Sequence, residues 1–324
     1  MLQAVEKRIE KDADYHRALV TGGAGFIGSH LVDGLVKRGF DVTVLDDLST
    51  GRMENLSSCL ERIRFVRGGI RDKATVEDSL RHVDSVFHLA AIASVPYSVE
   101  HPKTTYEINV NGTTSLLEAS SKSSVKKFIY ASTSAVYGDP EYLPIDESHP
   151  LNPISPYAES KLKAEQLCEE YQESCGLKTV ILRPFNVYGP RQTGNQYAGV
   201  IIRFVERLLE GQPPIIYGDG LQTRDFIYVE DAVRALILAS KNKEATGRIF
   251  NVASGLPTSI NELAQLLIDM FDIDGIEPMH VGAREGDIRH SYAETKRAKT
   301  HLGFEARITL REGLSSLLGS GRHA

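Results

Sequence analysis

The sequence predicts an α/β fold built on a doubly wound parallel sheet, with a smaller C-terminal substrate-binding domain. Short apolar segments alternate with amphipathic helices as far as residue 182, and a glycine-rich segment joins the first strand to the first helix. Small or polar residues also follow the predicted strands. Such alternation is typical of a parallel sheet, in which ligands bind beyond the carboxyl ends of the strands.

Composition narrows the class of protein. The 324 residues are 41% hydrophobic and 25% charged, and the formal net charge of −6 favours neither a nucleic-acid surface nor an anionic membrane partner. The three cysteines, Cys59, Cys168 and Cys175, are irregularly spaced, so we expect no disulfide framework and no metal site. The sequence contains neither an apolar run of membrane-spanning length nor a signal peptide, and we therefore expect a cytoplasmic protein.

The first predicted strand, residues 18–20, leads directly into a glycine-rich turn. Gly22 permits the tight turn, Gly25 lets a pyrophosphate approach the backbone, and Gly28 allows the next helix to pack closely. The N-terminus of that helix stabilises an anion. Because this GxxGxxG spacing lies between a strand and a helix, it predicts a Rossmann-type dinucleotide site.

The second predicted strand, residues 41–45, ends at Asp46. A carboxylate at this distance from the glycine turn accepts hydrogen bonds from the ribose of the adenosine half of a dinucleotide. It also repels a 2′-phosphate, so NAD is favoured over NADP, although Arg52 nearby leaves NADP open. The alternative is that Asp46 is merely a turn residue at a strand end.

The remaining predicted elements repeat the alternation. Further strands are predicted at residues 64–66, 85–91, 127–130, 179–182, 213–217 and 249–252. Helices are predicted at residues 74–80, 102–121, 156–171, 200–209, 231–240 and 259–270. Proline and glycine become frequent after Arg183. We therefore predict an NAD-binding Rossmann domain at residues 1–182 and 223–252, and a substrate-binding domain at residues 183–222 and 253–324.

The pair Tyr157 and Lys161 is a candidate acid/base centre. Pro156 can open a helix because its missing N–H would be unpaired in the first turn, and the two side chains then share one face. A lysine cation beside the phenol is expected to lower the pKa of Tyr157 and make it a proton acceptor. This spacing by itself is also common on solvated helices.

Taken together, these motifs resemble those of the extended short-chain dehydrogenase/reductase superfamily and, within it, the UDP-hexose 4-epimerases. The resemblance covers roughly residues 17–313 and includes His88-Leu89-Ala90-Ala91 and the segment from Arg183 to Gly189. It implies NAD as cofactor, a UDP-sugar as substrate and a homodimer formed through the helices at residues 102–121 and 156–173. The substrate-binding domain is then a UDP-sugar-binding domain.

The resemblance also implies the residues of the site. The implied catalytic residues are Thr133, Tyr157 and Lys161. The implied cofactor contacts are Gly22, Gly25, Phe26, Ile27, Gly28, Asp46, Asp47, Leu48, Ser49, Thr50, Gly51, Ile70, Leu89, Ala90, Ala91, Ala93, Asn109, Tyr157, Lys161 and Phe185. The implied substrate contacts are Ser94, Thr133, Tyr157, Asn186, Asn195, Val200, Tyr217, Arg224, Arg284, Asp287 and Ser291.

The sequence departs from the family pattern after the third strand. Relatives usually carry an aspartate there that bonds the adenine amino group, whereas this chain has Gly69 in the run Gly68-Gly69-Ile70-Arg71-Asp72. We expect Ile70 still to pack against adenine. The strength or selectivity of adenine binding is therefore expected to differ.

By resemblance, Tyr157 takes the proton of the sugar C4 hydroxyl while NAD accepts the C4 hydride, and Thr133 hydrogen-bonds to the reacting oxygen. The 4-keto sugar turns over and accepts the hydride on its other face. Arg224 and Arg284 clamp the diphosphate. Relatives that act as 4,6-dehydratases carry acids where this chain has Ser134 and Ala135, so dehydration is not expected.

Substrate choice is predicted to depend on Ser291. Plain UDP-glucose epimerases often carry a bulky tyrosine at this position, and a serine leaves room for an N-acetyl group without excluding a hydroxyl. We therefore expect UDP-N-acetylglucosamine as a substrate and also UDP-glucose. The alternatives are a UDP-glucose-only epimerase, a UDP-glucuronate 4-epimerase or decarboxylase, and a non-catalytic NAD-binding sensor or scaffold.

Overall fold

The computed structural model describes residues 16–192, 199–273, 275–284 and 286–321. Its strands are β1 (Arg17–Thr21), β2 (Asp41–Asp46), β3 (Ile63–Arg67), β4 (Ser85–His88), β5 (Lys127–Ala131), β6 (Thr179–Pro184), β7 (Asn186–Tyr188), β8 (Ile215–Tyr217), β9 (Thr223–Tyr228), β10 (Arg248–Val252), β11 (Pro257–Ser259), β12 (Met279–Val281) and β13 (His290–Ser291). Its α-helices are α1 (Phe26–Lys37), α2 (Lys73–Ser79), α3 (Val95–Glu100), α4 (Pro102–Tyr106), α5 (Thr113–Ser121), α6 (Pro156–Cys175), α7 (Val200–Leu209), α8 (Val229–Lys241), α9 (Ile260–Phe271) and α10 (Leu310–Gly321).

The large sheet is parallel throughout the described residues. Its strand order is β3-β2-β1-β4-β5-β6-β10, so the chain reverses direction across the sheet between β1 and β4. In such a sheet the crevice at the reversal point, beyond the carboxyl ends of the strands, is where a dinucleotide binds. The predicted doubly wound fold is therefore confirmed.

Both faces of the large sheet are buried under helices. Neighbouring residues of one strand point to opposite faces: Leu19 and Phe128 belong to one apolar cluster, whereas Val20 and Ile129 belong to the other. The first cluster includes residues of α2, α5 and α6, and the second includes residues of α1 and α8. This two-sided burial explains why the strands read as continuous apolar segments rather than as alternating ones.

A smaller sheet gathers strands from distant parts of the chain. Strand β9 pairs with β7, β11 and β13, and a separate two-stranded sheet joins β8 to β12. The predicted boundaries place residues 223–228 with the NAD-binding part, but this segment is β9 and pairs within the small sheet. The first two residues of this strand, Thr223 and Arg224, are partly exposed, and the other four are buried. The division into two domains stays a prediction.

The helix predicted at residues 102–121 is interrupted. Helices α4 and α5 are joined by a π-helical segment, Glu107–Gly112. The hydroxyl of Thr113 donates to the carbonyl oxygen of Asn109 at 2.6 Å, one turn back. A π-turn inserts an extra residue into a helical turn and often lies at a functional site, and here it includes Asn109.

Candidate active site

The glycine turn between β1 and α1 is closed to side chains. Gly22 has φ of 69°, and a Cβ atom there would lie 2.8 Å from the Ala90 nitrogen. A Cβ on Gly28 would lie 2.0 Å from the Gly22 carbonyl oxygen, and one on Gly25 would lie 3.2 Å from the same oxygen. Gly25 precedes α1 and places no side chain over the first turn of the helix. The turn therefore presents backbone amides to a phosphate, which fits a dinucleotide.

Asp46 connects the end of β2 to the glycine turn. Its Oδ2 accepts a hydrogen bond from the Ala24 nitrogen at 2.9 Å, and its Oδ1 accepts one from the Leu48 nitrogen at 2.8 Å. Burial raises the pKa of Asp46, and these two bonds act against that rise. The carboxylate is therefore oriented beside the phosphate turn, and each oxygen retains a lone pair for a ribose hydroxyl.

The segment that follows Asp46 folds back against the same turn. Asp47 Oδ1 accepts from both the nitrogen and the hydroxyl of Ser49, at 2.9 and 2.6 Å. A Cβ on Gly51 would lie 2.9 Å from the Ala24 Cβ, so only glycine fits. The predicted ribose segment, which also contains Leu48 and Thr50, thus lies beside the phosphate turn.

The predicted adenine region is less filled. Ile70 is buried, and its Cδ1 atom packs at the position where a Cβ on Gly112 would lie, 2.6 Å away. A Cβ on Gly69 would have no atom within 4 Å. Gly69 is thus an open position in which a longer side chain could be accommodated.

Thr133, Tyr157 and Lys161 are brought together at the carboxyl edge of the large sheet. Thr133 follows β5, while Tyr157 and Lys161 lie in the first two turns of α6, which Ser155 caps by accepting from the Ala158 nitrogen at 3.2 Å. The Thr133 side chain lies close enough to Tyr157 to oppose the rise in its pKa that burial causes. The predicted catalytic residues therefore share one site, a geometry suited to proton transfer at a hydroxyl.

The expected lowering of the Tyr157 pKa is wrong for this structure. Burial raises the pKa of Tyr157, and the bond with Thr133 is what opposes that rise. Lys161 does not lower the pKa of Tyr157 in this arrangement, and its Nζ donates to the Ala131 carbonyl oxygen at 2.5 Å. Burial lowers the pKa of Lys161 to about 7, so this group titrates near neutrality.

Asn109 bridges the loop after β4 and the helix of the catalytic pair. Its Oδ1 accepts from the Ile92 nitrogen at 2.8 Å, and its Nδ2 donates to the Ile92 carbonyl oxygen at 3.0 Å and to Ser160 Oγ at 2.9 Å. Asn109 thereby holds the segment that contains Leu89, Ala90, Ala91 and Ala93 against α6. A direct contact between Asn109 and NAD stays a prediction.

Sequence reasoning missed a buried histidine behind this site. His88 Nδ1 lies 2.8 Å from Thr21 Oγ1, and its Nε2 lies 2.8 Å from Thr113 Oγ1. Thr113 donates its own proton to Asn109, so it accepts from Nε2–H, and Thr21 then donates to Nδ1. Burial, followed by Lys161, lowers the pKa of His88 to about 3 and keeps it neutral. A histidine within a predicted buried strand was the available signal.

A buried ion pair, also missed, connects the same elements. Arg183 and Glu165 are 1% and 2% exposed and form two hydrogen bonds, Nε to Oε1 at 3.0 Å and Nη2 to Oε2 at 2.6 Å. Glu165 Oε1 also accepts from the hydroxyl of Ser132, the residue before Thr133. Arg183 Nη1 donates to Tyr137 Oη at 3.0 Å. The sequence offered one signal for Glu165: it is four residues beyond Lys161, so it lies on the same helix face as the predicted catalytic pair.

The predicted substrate residues surround the small sheet. Arg224 Nη2 lies 2.5 Å from Asp287 Oδ1, and the guanidinium of Arg284 stacks over the Tyr217 ring, 3.7 Å from its centroid. A hydrogen bond from Arg284 lowers the pKa of Tyr217. Ser291 pairs with Arg224 in the register of β13 and β9. Ser291 and Arg224 thus lie on adjoining strands, whereas Arg284 lies in the segment between β12 and β13.

Other predicted contacts lie at the ends of strands and helices. Asn186 Nδ2 donates to the Asp225 carbonyl oxygen at 3.0 Å, and Ser94 caps α3 by accepting from the Tyr97 nitrogen at 3.1 Å. Phe185 is buried beside Tyr137, and Val200 begins α7. Asn195 lies outside the described residues.

Asp225, which sequence reasoning also missed, organises this region. Its buried carboxylate accepts from the nitrogens of Ser254, Gly255 and Ala293 at 2.8, 2.9 and 3.2 Å, and from Ser254 Oγ at 2.6 Å. Four donors around one carboxylate join β9 to the segments after β10 and β13. Asp225 thereby fixes the backbone next to Arg224.

Two further searches cover the described residues alone. None of the helices in that part of the chain has both the length and the apolar character needed to cross a membrane. A group of three or more potential metal ligands is likewise absent from that part.

A parallel sheet with a phosphate-binding glycine turn, and a Thr–Tyr–Lys group at the edge next to it, defines an NAD-dependent short-chain dehydrogenase/reductase. The model of the NAD-dependent epimerase/dehydratase family matches residues 18–253. The chain belongs to this family. This match and the relatives described next confirm three predictions: the superfamily, the NAD cofactor and the isomerase class of the enzyme.

Relatives cover nearly the whole chain. A putative UDP-glucose 4-epimerase from Methanocaldococcus jannaschii is 43% identical over 93% of this chain and 96% of its own. The crystal structure of a UDP-glucose 4-epimerase from Thermotoga maritima with UDP-glucose superposes with a TM-score of 0.90, at 41% identity over 95% of this chain and 99% of that one. A UDP-N-acetylglucosamine 4-epimerase from Methanobrevibacter ruminantium, in complex with UDP-N-acetylmuramic acid, has a TM-score of 0.89 and 39% identity over 95% and 100%. Sugar-nucleotide decarboxylases are also among the relatives.

Proposed function

We propose that this protein is a UDP-sugar 4-epimerase that interconverts UDP-N-acetylglucosamine with UDP-N-acetylgalactosamine, and UDP-glucose with UDP-galactose. The observation that carries the proposal is that Thr133, Tyr157 and Lys161 lie together at the carboxyl edge of the large sheet, which also carries the glycine turn. Arg224 on the small sheet and Arg284 after β12 support a diphosphate substrate, since a guanidinium can donate two parallel hydrogen bonds to phosphate oxygens.

In this mechanism the chain itself handles the proton at C4. Tyr157 removes the proton of the C4 hydroxyl, and Thr133 hydrogen-bonds to the same oxygen. The glycine turn, Asp46 and Lys161 would hold NAD, which supplies a reversible hydride acceptor when bound. The 4-keto sugar then turns over, and its C4 would take back the hydride on the other face while Tyr157 returns the proton to the oxygen, so the sugar undergoes no net oxidation.

The raised pKa of Tyr157 indicates what Lys161 contributes to proton removal. A phenol buried in this way ionises only if positive charge lies close to it. Lys161 is one helical turn away and titrates near pH 7, so it can supply that charge in its ammonium form. Productive proton removal therefore requires Lys161 to be protonated.

The residues after Thr133 speak against dehydration. Thr133 is followed by Ser134 and Ala135, and the Ala135 nitrogen donates to Thr133 Oγ1 at 3.2 Å. Elimination of water from the sugar needs a carboxylic acid beside the substrate, and neither side chain can serve. Decarboxylation of a UDP-uronate remains the second candidate, because decarboxylases are among the relatives.

The N-acetyl substrate is supported by the position of Ser291. It lies on β13 directly beside Arg224 of β9, so the sugar end of a substrate held by Arg224 is expected to lie close to it. A serine at this place leaves space that a tyrosine would occupy. The register across two strands thus supports a pocket open to a C2 substituent.

A homodimer and a cytoplasmic location are part of the proposal. Val95 and Val99 on α3 and Tyr106 on α4 are 41%, 62% and 48% exposed, and α3 and α4 both pack against α6. An apolar surface of this kind supports self-association. The three cysteines are free thiols, two of them buried, which supports a reducing compartment. Light scattering on the purified protein would measure the oligomeric state.

The function is tested by supplying the purified enzyme, without added NAD, with UDP-glucose, UDP-N-acetylglucosamine and UDP-glucuronate separately, and identifying products by NMR. We expect the C4 epimer of each of the first two. A pentose product from UDP-glucuronate would indicate the decarboxylase instead. Turnover of UDP-glucose without UDP-N-acetylglucosamine would contradict the role of Ser291.

Substitution Ser291→Tyr tests the specificity directly. The larger side chain is expected to suppress turnover of UDP-N-acetylglucosamine while UDP-glucose turnover is largely retained. The ratio of kcat/KM for the two substrates measures this selectivity. Equal loss of both activities would mean that the tyrosine disturbs the strand rather than the pocket.

A further inference from the structure

The ammonium group of Lys161 lies over the face of an aromatic ring. Its Nζ lies 4.3 Å from the centroid of the Tyr130 ring, on strand β5. The residue after Tyr130, Ala131, supplies the carbonyl oxygen that accepts from the same Nζ at 2.5 Å. Lys161 is 3% exposed and Tyr130 is 1% exposed, so little water intervenes.

The hydroxyl of Tyr130 does not explain why a tyrosine lies here. Among the described residues, its buried Oη has no hydrogen-bond partner. A buried unpaired hydroxyl costs free energy rather than supplying it. The ring, by contrast, contacts the lysine on its face and lies 5.6 Å from the His88 ring. The aromatic face is therefore the part of Tyr130 that the site uses.

The ring face attracts the cation of Lys161 because its π-electrons form a negative surface. From this geometry we propose that Tyr130 is a positioning residue, which holds the Lys161 ammonium at the carboxyl end of β5 and stabilises its charge through a cation–π contact. The proposal rests on the proposed function, in which Lys161 must be charged for proton removal at Tyr157.

Other groups around Lys161 act on the same charge. His88 on β4 is neutral and contributes no positive charge, and Arg183 on β6 is paired with Glu165. Glu165 and Cys168, on the same helix as Lys161, raise the pKa of Lys161, whereas burial lowers it more strongly. The Tyr130 ring and the Ala131 carbonyl oxygen contact the Lys161 ammonium from the sheet side, and they thus oppose the lowering of its pKa by burial.

Tyr130→Leu removes the ring face, and Tyr130→Phe is the matched control that keeps the face and deletes the unpaired hydroxyl. Tyr130→Met is a second variant without a ring, in case the leucine variant does not fold. The full-length proteins, labelled with ¹³Cε-lysine, are titrated by NMR, and the Lys161 signal is assigned by its loss in Lys161→Arg. Steady-state kcat and KM for UDP-glucose are measured on the same samples.

We expect the pKa of Lys161 to fall by about one unit in Tyr130→Leu and Tyr130→Met and to stay in place in Tyr130→Phe. We also expect kcat near pH 7 to fall by about fivefold in the two ring-free variants, with KM nearly unchanged, because lowering the pKa from about 7 to about 6 reduces the ammonium fraction at pH 7 from about one half to about one tenth. Rescue by phenylalanine distinguishes the ring from the hydroxyl.

Two outcomes would overturn the inference. One is an unchanged Lys161 titration in a folded ring-free variant, and the other is an equal shift in Tyr130→Phe. A separate variant, Lys161→Met, tests the proposed function alone. Full epimerisation by that variant would contradict the role of Lys161, while the titrations would still report whether the ring stabilises its charge.

Discussion

The predicted functional side chains on and beside the large sheet are buried and bound by the protein's own groups, whereas Arg224 of the small sheet and Asp287 of the loop before β13 are partly exposed and paired with each other. Lys161 and Arg183 are 3% and 1% exposed, and Asp46 uses both oxygens on backbone amides. Arg224 and Asp287 are 17% and 34% exposed, and their pairing joins residues 63 positions apart. We therefore expect the side proposed to bind the cofactor to be preorganised, and the proposed diphosphate-binding arginine to exchange its carboxylate partner for a phosphate.

This difference has a chemical basis. Groups that position a reacting atom gain from low dielectric and fixed geometry, because their electrostatic interactions are then strong. Groups that take up and release a charged substrate need access to water and a bond that can be replaced. The four predictions below test the comparison in order of decreasing effect.

The largest effect is expected at Tyr157. Substitution Tyr157→Phe removes the proton acceptor and should lower kcat by about 10³-fold or more, because general base catalysis contributes about 10²–10⁴-fold. Epimerisation followed by NMR gives the rate, and calorimetric titration with NAD is the control, which should show unchanged binding. Activity retained in a folded Tyr157→Phe protein would sink the assigned role.

The second prediction compares ion pairs in the two regions. Substitution Arg183→Met leaves Glu165 charged and buried, which should lower the free energy of unfolding by about 3–5 kcal/mol. Arg289→Met is the matched control, because Arg289 and Asp219 are 50% and 51% exposed and their pair is screened by water. Urea denaturation measures both. Similar losses in the two variants would contradict the contrast drawn between the regions.

The third prediction concerns the exchangeable arginine. Substitution Arg224→Met should lower kcat/KM for UDP-sugars by about 10–100-fold, since a charge-assisted hydrogen bond contributes about 1.5–3 kcal/mol. The effect should fall mainly on KM, and the affinity for NAD should not change. A matched loss of NAD affinity would show that the small sheet is not separate from the cofactor side.

The smallest effect is expected at Gly69, where the cofactor side is incomplete. Space exists for a side chain, since a Cβ there meets no atom within 4 Å. Substitution Gly69→Asp should tighten NAD binding by about fivefold, the contribution of one hydrogen bond to the adenine amino group. Calorimetry of NAD measures it, and Gly69→Ala, which adds no acceptor, is the control. A gain in the alanine variant equal to that in Gly69→Asp would rule out the hydrogen bond.

Much of the large sheet could be predicted because its signals are local. Strand, glycine turn and helix follow one another within a few residues, so Gly22, Gly25 and Gly28 could be placed without any tertiary contact. Asp46 follows from the same spacing. The helix of Tyr157 and Lys161 was likewise predictable from Pro156 and the four-residue separation.

Other features depend on contacts that spacing does not encode. The pKa of Tyr157 was predicted in the wrong direction, because its burial arises only when α6 packs against the rest of the chain. The π-helical segment at Asn109 was also missed, since nothing in the periodicity of residues 102–121 marks it. Both errors concern the packing of one element on another.

The sequence by itself determined that a dinucleotide-binding sheet would form and which residues would line its edge, because hydrophobic period and turn chemistry act over short distances. Only the tertiary structure determined which buried groups keep their charge. It also determined how residues as distant in sequence as Arg224 and Ser291 pair on one small sheet. Charge state and strand register depend on contacts between segments that are far apart in the chain, and a local segment of the sequence does not specify those contacts.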